Sequence, residues 1–176
     1  SFNRLSKLGA SVVPTWSRVL LGVPGSRLLM ANVPEAAQAD ALRRQFAEYG
    51  VAPDRLSFVP RLPLADYFAL HHEVDLLLDT FPYTGGTTTQ HALWMGVPTV
   101  TLTGPRRSER ISTANLARAG LEDWSVSSTE AYVARAVAAA KDIEGLAALR
   151  AGLRERILTT PLCQAGTVAR SLEAAW

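Results

Sequence analysis

The run Val74–Leu78, VDLLL, constrains the fold more than any other five residues of this chain. After Asp75 it has no polar alternation. Strands that read as continuous apolar runs are covered on both faces, as in a parallel sheet. The rest of the pattern agrees. Short apolar runs at Arg27–Met30, Leu56–Val59 and Thr99–Leu102 alternate with helical periodicity at Val12–Leu21, Glu35–Tyr49, Thr87–Met95 and Ser112–Ala119. Leu64–His71 reads as a short helix and Trp124–Val126 as an edge strand. Ser127 and Glu130 read as a capping box for a helix through Lys141. Helices over Ile143–Leu158 and Val168–Trp176 follow, split by Pro161. Parallel strands joined through helices imply right-handed crossovers. The expected class is therefore α/β: a Rossmann-like parallel sheet of about four to six strands. Helices should cover both faces, with the C-terminal helices packed along the sheet.

Composition removes several function classes. At 176 residues and 48% hydrophobic, the chain suits one packed domain rather than a disordered one. A net charge of +2, from 18 basic and 16 acidic residues, is too balanced to argue for nucleic acid or a membrane surface. Cys163 is the sole cysteine, which excludes an internal disulfide framework and a cysteine-based zinc site. His71 and His72 are adjacent rather than four apart, so no metal is expected. No apolar run has membrane-spanning length, and no signal peptide is visible. The opening SFNRL resembles the tip of a strand and the loop after it. A first strand and a partner lobe are accordingly expected outside these residues.

The segment richest in chemistry is Asp79–Pro98, DTFPYTGGTTTQHALWMGVP. It joins the apolar strand to a helix. Gly85 and Gly86 allow close backbone approach. Thr87, Thr88 and Thr89 open the helix, where free N–H groups and the positive dipole end favour an anion. Three hydroxyls there would add donors to a diphosphate. A plain glycine turn with a threonine cap reads the same way. It is neither a Walker A loop nor GxGxxG. Arg4 and Lys7 stand three apart in the first loop and share a helical face. Beside a phosphate they would neutralise a leaving diphosphate; alone, they are a solvated basic turn. The Pro60–Pro63 loop, in FVPRLPLADYF, is held extended and offers unpaired backbone to a planar base. The arginines of Gly104–Arg110, GPRRSER, either reach phosphates or face water.

Taken together these segments resemble the C-terminal, nucleotide-sugar-binding lobe of the protein O-GlcNAc transferase family and its SPINDLY-like relatives. The resemblance runs end to end. It starts at FNRLSK, continues through RLSFVPRLP, DLLLDTFPYTGGTTTQHALWMGVPTVTLTG and ERIS, and ends at ILTTPLCQAGTVARSLEAAW. It implies the C-terminal half of a two-lobed GT-B fold, preceded by an N-terminal catalytic lobe and tetratricopeptide repeats, and a cytoplasmic location. The implied reaction transfers a sugar, expected to be N-acetylglucosamine from UDP-GlcNAc, to protein Ser/Thr hydroxyls. No cofactor beyond the donor is implied. A GDP-fucose-using SPINDLY-like transferase and a non-catalytic nucleotide-binding module are the alternatives.

The resemblance also assigns residues. Lys7 matches the lysine that assists departure of the leaving group, so it is the expected catalytic residue. Arg4 stands near the same phosphates, where the family often has Gln. Arg61 and Leu62 match loop residues whose backbone meets the base. Thr87 and Thr88 match the threonines at the phosphate-binding helix start, next to the Gly85–Gly86 turn. His91 falls where the family usually has an acid on the ribose. Gly86 replaces a His of the animal-type enzymes, and Leu64 and Tyr67 replace a Lys and a His of the base loop.

Overall fold

The computed structural model describes all of Ser1–Trp176. Five strands form, Leu28–Ala31 (β1), Leu56–Val59 (β2), Leu77–Leu78 (β3), Thr99–Leu102 (β4) and Ser125–Val126 (β5), and every pairing is parallel. β1 pairs with β2, and β3-β4-β5 form a second group. Ser1–Asn3 lie between the groups. The Ser1 amino group donates to the Leu29 carbonyl (2.6 Å), and Ala31 N–H donates to the Ser1 carbonyl (2.9 Å). Below Ser1, a cavity of about 610 Å³ separates β1 from the β3 side, lined by Leu28, Leu29, Val74, Asp75, Leu76 and Leu78 among others.

One correction concerns the strand on this side. The strand expected over Val74–Leu78 enters the sheet only at Leu77 and Leu78. On its β4 side, Leu77 N–H reaches the Pro98 carbonyl and Asp79 N–H the Val100 carbonyl. The carbonyls of Val74 and Asp75 instead accept the Arg150 guanidinium. Asp75 is exposed.

Helices flank the strands: Val12–Gly22 (α1), Ala36–Glu48 (α2), Leu64–Ala69 (α3), Thr87–Trp94 (α4), Ile111–Arg118 (α5), Thr129–Lys141 (α6), Ile143–Leu158 (α7) and Ala165–Glu173 (α8). α1 packs on α6, and α6 and α5 pack on β4, so Trp16, Tyr132, Leu93, Val100 and Leu116 meet in one core. α7 packs on α4 and α6 through Leu146, Leu153 and Ile157, as expected of a C-terminal helix. α8 does not, since it buries no residue and leaves Val168 and Leu172 exposed. The α6 cap is Ser128, whose hydroxyl accepts the Ala131 N–H, and not Ser127. Ser128 has the extended backbone an N-cap needs. No helix is long and apolar enough to cross a membrane.

Candidate functional site

Loops at the carboxyl ends of β3 and β4 meet the first loop of the chain, the place where open α/β sheets bind ligands. Its organiser is Asp79, the residue after β3, buried to 0% exposure. Asp79 Oδ1 accepts Asn3 Nδ2, its neighbour Thr80 N and Gly85 N, each at 2.9 Å, and Oδ2 accepts Thr101 Oγ1 at 2.7 Å. Its backbone carbonyl accepts the Tyr132 hydroxyl (2.9 Å), which in turn accepts Trp16 Nε1 (3.2 Å). No cation salt-bridges it, so burial holds its carboxyl above the usual range against the pull of these donors. One carboxylate thus folds the DTFPYTGG loop back onto the strand tip. The sequence signal for it is local: an aspartate closing a strand and bonding its own loop amides.

This geometry reassigns Gly85. Its N–H belongs to Asp79 and its carbonyl accepts Ser112 Oγ (2.9 Å), so it is interior rather than ligand-facing. A Cβ there would lie 2.5 Å from Thr89 Oγ1. Thr89 also turns inward, its hydroxyl 2.7 Å from Ser112 Oγ. Two threonine hydroxyls rather than three therefore remain for a ligand. Thr87 is exposed and Thr88 half-buried at the start of α4. The Gly86 cap offers no side chain to this end, and helix geometry leaves the first-turn N–H groups without intrahelical partners. A dipole end with open amides is an anion cradle.

Lys7 reaches the same loop. Its ammonium donates to the Thr84 carbonyl (2.9 Å), three residues before Thr87, and lies 4.4 Å from the centre of the Tyr83 ring. Partial burial lowers its pKa, Asp79 opposes that, and Arg4 adds to it. The structure therefore brings Lys7 and the α4 start together. Arg4 is exposed one turn earlier and its guanidinium makes no protein hydrogen bond. Arg61 is exposed in the loop after β2, while Leu62 packs against the small apolar cluster that contains Phe2 and Leu70. Of the Gly104–Arg110 arginines, Arg106 pairs with Glu109 (3.6 Å).

His91 lies one turn beyond Thr87 and Thr88 on the same face of α4. Its Nδ1 is 3.2 Å from the Tyr67 hydroxyl, and the Tyr67 and Phe68 rings stand edge-on to it. Beneath them His71 is fully buried, stacked on Phe2 at 4.2 Å, with Nδ1 2.9 Å from the Tyr67 carbonyl and Nε2 unpartnered. Burial lowers the pKa of His71 and, less deeply sited, of His91. The unfolded chain takes up a proton near 6.5 that folded His71 refuses. Stability contributed by neutral His71 is therefore present above about 6.5 and lost as pH falls below it. Asp79, with its raised pKa, works the opposite way, so the readout is a difference. The melting temperature of His71→Leu should fall less steeply with acidification than that of the wild type. Parallel slopes in thermal melts across this range would contradict the assignment.

The chain matches the sequence model of Glycosyl transferase family 41 over residues 1–172. It is 35% identical to a protein of Solanum lycopersicum named "Probable UDP-N-acetylglucosamine--peptide N-acetylglucosaminyltransferase SPINDLY", over 99% of this chain and 19% of that protein. A Caenorhabditis elegans UDP-N-acetylglucosamine--peptide N-acetylglucosaminyltransferase is 29% identical over 86% of this chain and 13% of its own length. The solved structure of a mutant Thermobaculum terrenum O-GlcNAc transferase superposes with a TM-score of 0.92 at 35% identity, covering 99% of this chain and 34% of that one. The chain thus spans about a fifth of the length of the SPINDLY relatives it matches.

Proposed function

Because this chain belongs to glycosyl transferase family 41, we propose that it is the lobe of a protein glycosyltransferase that holds the nucleotide-sugar donor. The observation that carries the reading is the meeting of Lys7 with the loop that opens α4. In this reading the donor diphosphate lies against the Gly86–Thr88 amides and the Thr87 and Thr88 hydroxyls. Lys7 and Arg4 face its charge, and the Arg61–Leu62 backbone meets the base. Gly85 supports this turn from behind. An acceptor Ser or Thr oxygen attacks the anomeric carbon as the bond to the diphosphate breaks, inverting the centre. The hydroxyl proton passes to a base outside these residues. The lobe's own contribution is positioning and stabilisation of the departing diphosphate charge. No metal is needed in this scheme, because a helix end and a lysine supply the positive charge.

The first lobe, with the base and acceptor site, and tetratricopeptide repeats belong to the longer protein, so the lobe alone is expected to be inactive. The names of the relatives favour UDP-GlcNAc as donor. Assaying the full-length protein with labelled UDP-GlcNAc and, in parallel, labelled GDP-fucose tests this. Label on Ser or Thr from UDP-GlcNAc supports the reading. Label from GDP-fucose alone replaces the donor. Absence of transfer from both, with nucleotide still bound, leaves a nucleotide-binding module.

A further inference from the structure

A polar pair sits on the face that continues the phosphate turn. His91 follows Thr87 by four residues and Thr88 by three, so all three side chains project from one face of α4. Tyr67 comes from α3 and places its hydroxyl 3.2 Å from His91 Nδ1. Its ring is clamped by Phe2 (5.6 Å), Phe68 (5.4 Å) and His71 (5.0 Å), so the hydroxyl has a defined position. That hydroxyl has no other hydrogen-bond partner in the protein, and His91 Nε2 has none at all.

The direction of the bond follows from satisfying the groups. A neutral imidazole has one donor and one acceptor nitrogen. If Nδ1 carried the proton, the Tyr67 hydroxyl hydrogen would have no acceptor within the protein. If Tyr67 donates to Nδ1, the hydroxyl is satisfied and the proton of His91 resides on Nε2. Burial supports a phenol as the donor by pushing the Tyr67 pKa up to about 12. It also favours the neutral imidazole.

We propose that Tyr67 is a positioning residue that fixes the tautomer of His91, so that Nε2–H is presented as a hydrogen-bond donor to an oxygen of the nucleotide held at the start of α4. The inference rests on the donor-binding reading above. A carboxylate at this position accepts hydrogen bonds from ribose hydroxyls; an N–H donor suits a ribose oxygen or a diphosphate oxygen. The pair therefore reverses the hydrogen-bond polarity of the site at this position.

The test uses the whole chain at about pH 8, where imidazole is neutral. Long-range proton–nitrogen spectra read the His91 tautomer, and titration with UDP and GDP reads affinity, in the wild type, Tyr67→Phe, His91→Gln and His91→Asp. Phenylalanine keeps the ring packing, and thermal melts report whether each variant is folded. The expected result is a protonated Nε2 in the wild type and a mixture of tautomers in Tyr67→Phe, with nucleotide affinity falling about threefold to tenfold. His91→Gln, which keeps an N–H donor, should bind within about threefold of the wild type. His91→Asp has no tautomer to fix, so adding Tyr67→Phe to it should change affinity by less than about threefold. A wild-type Nδ1–H, a tautomer unmoved by Tyr67→Phe, or a changed tautomer with unchanged affinity would each overturn the proposal while leaving donor binding intact. If the wild type binds neither UDP nor GDP, the donor reading fails and this inference fails with it.

Discussion

Replacing Lys7 by alanine in the full-length enzyme should lower kcat by about 10²–10³-fold, the range for loss of one preorganised charge stabiliser. Donor affinity should change by less than about tenfold. The asymmetry follows from where charge develops. In the proposed complex the ground-state diphosphate is already partly neutralised by the α4 amides. The charge that grows on the leaving oxygen is what a nearby ammonium stabilises selectively. Lys7 is set for this: the Thr84 carbonyl and Tyr83 ring fix its head group, and partial burial lowers the hydration it must shed. Lys7→Arg should recover only part of the activity, because a planar fork does not reproduce a compact ammonium against one carbonyl. Steady-state kinetics decide the matter. Equal losses of kcat and kcat/KM place Lys7 in the transition state, and a pure KM effect confines it to ground-state binding.

Asp79→Ala should destabilise the fold by about 2–4 kcal/mol in urea titration. It strands the buried donors Asn3 Nδ2, Thr80 N, Gly85 N and Thr101 Oγ1, each of which costs free energy when left unpaired. Removing a carboxylate that burial disfavours offsets part of this, which is why the sum of four losses is not expected. Asp79→Asn keeps one acceptor oxygen and should lose about half as much. Because Gly85 N–H hangs on the carboxylate, both variants should also loosen the α4 start and weaken nucleotide binding. A stable Asp79→Ala with unaltered nucleotide affinity would show that the loop is held by its other contacts, those of Thr84 and Ser112.

Local rules made part of this molecule readable. β2, β4 and α7 have the boundaries their patterns predict, because apolar runs and Gly or Pro punctuation decide them within a few residues. The α/β class follows from the same rules and agrees with the family's fold. What sequence missed depends on partners far along the chain. Val74–Leu76 read as strand, but Arg150 and the cavity under Ser1 set their environment. Gly85 and Thr89 read as ligand contacts, but Ser112, more than twenty residues away, claims both. Asp79 offers a local signal through its bonds to Thr80 and Gly85, but its role as organiser also needs Asn3 and Thr101, which are distant in sequence. The Ser127 cap failed by one residue, a matter of backbone angle that residue type does not encode. Lys7 is singled out by resemblance alone, since its spacing with Arg4 equally describes a solvated turn.

The central claim is that the turn opening α4, with Lys7 beside it, holds a nucleotide diphosphate. Amide and side-chain chemical shifts of the labelled chain, followed during titration with UDP, test it most directly. The account predicts saturable shifts centred on Gly86, Thr87 and Thr88, extending to His91 and the Lys7 side chain, and largely lost with uridine, which lacks the diphosphate. Saturable shifts centred elsewhere, equal response to uridine and UDP, or no response to either UDP or GDP would contradict it.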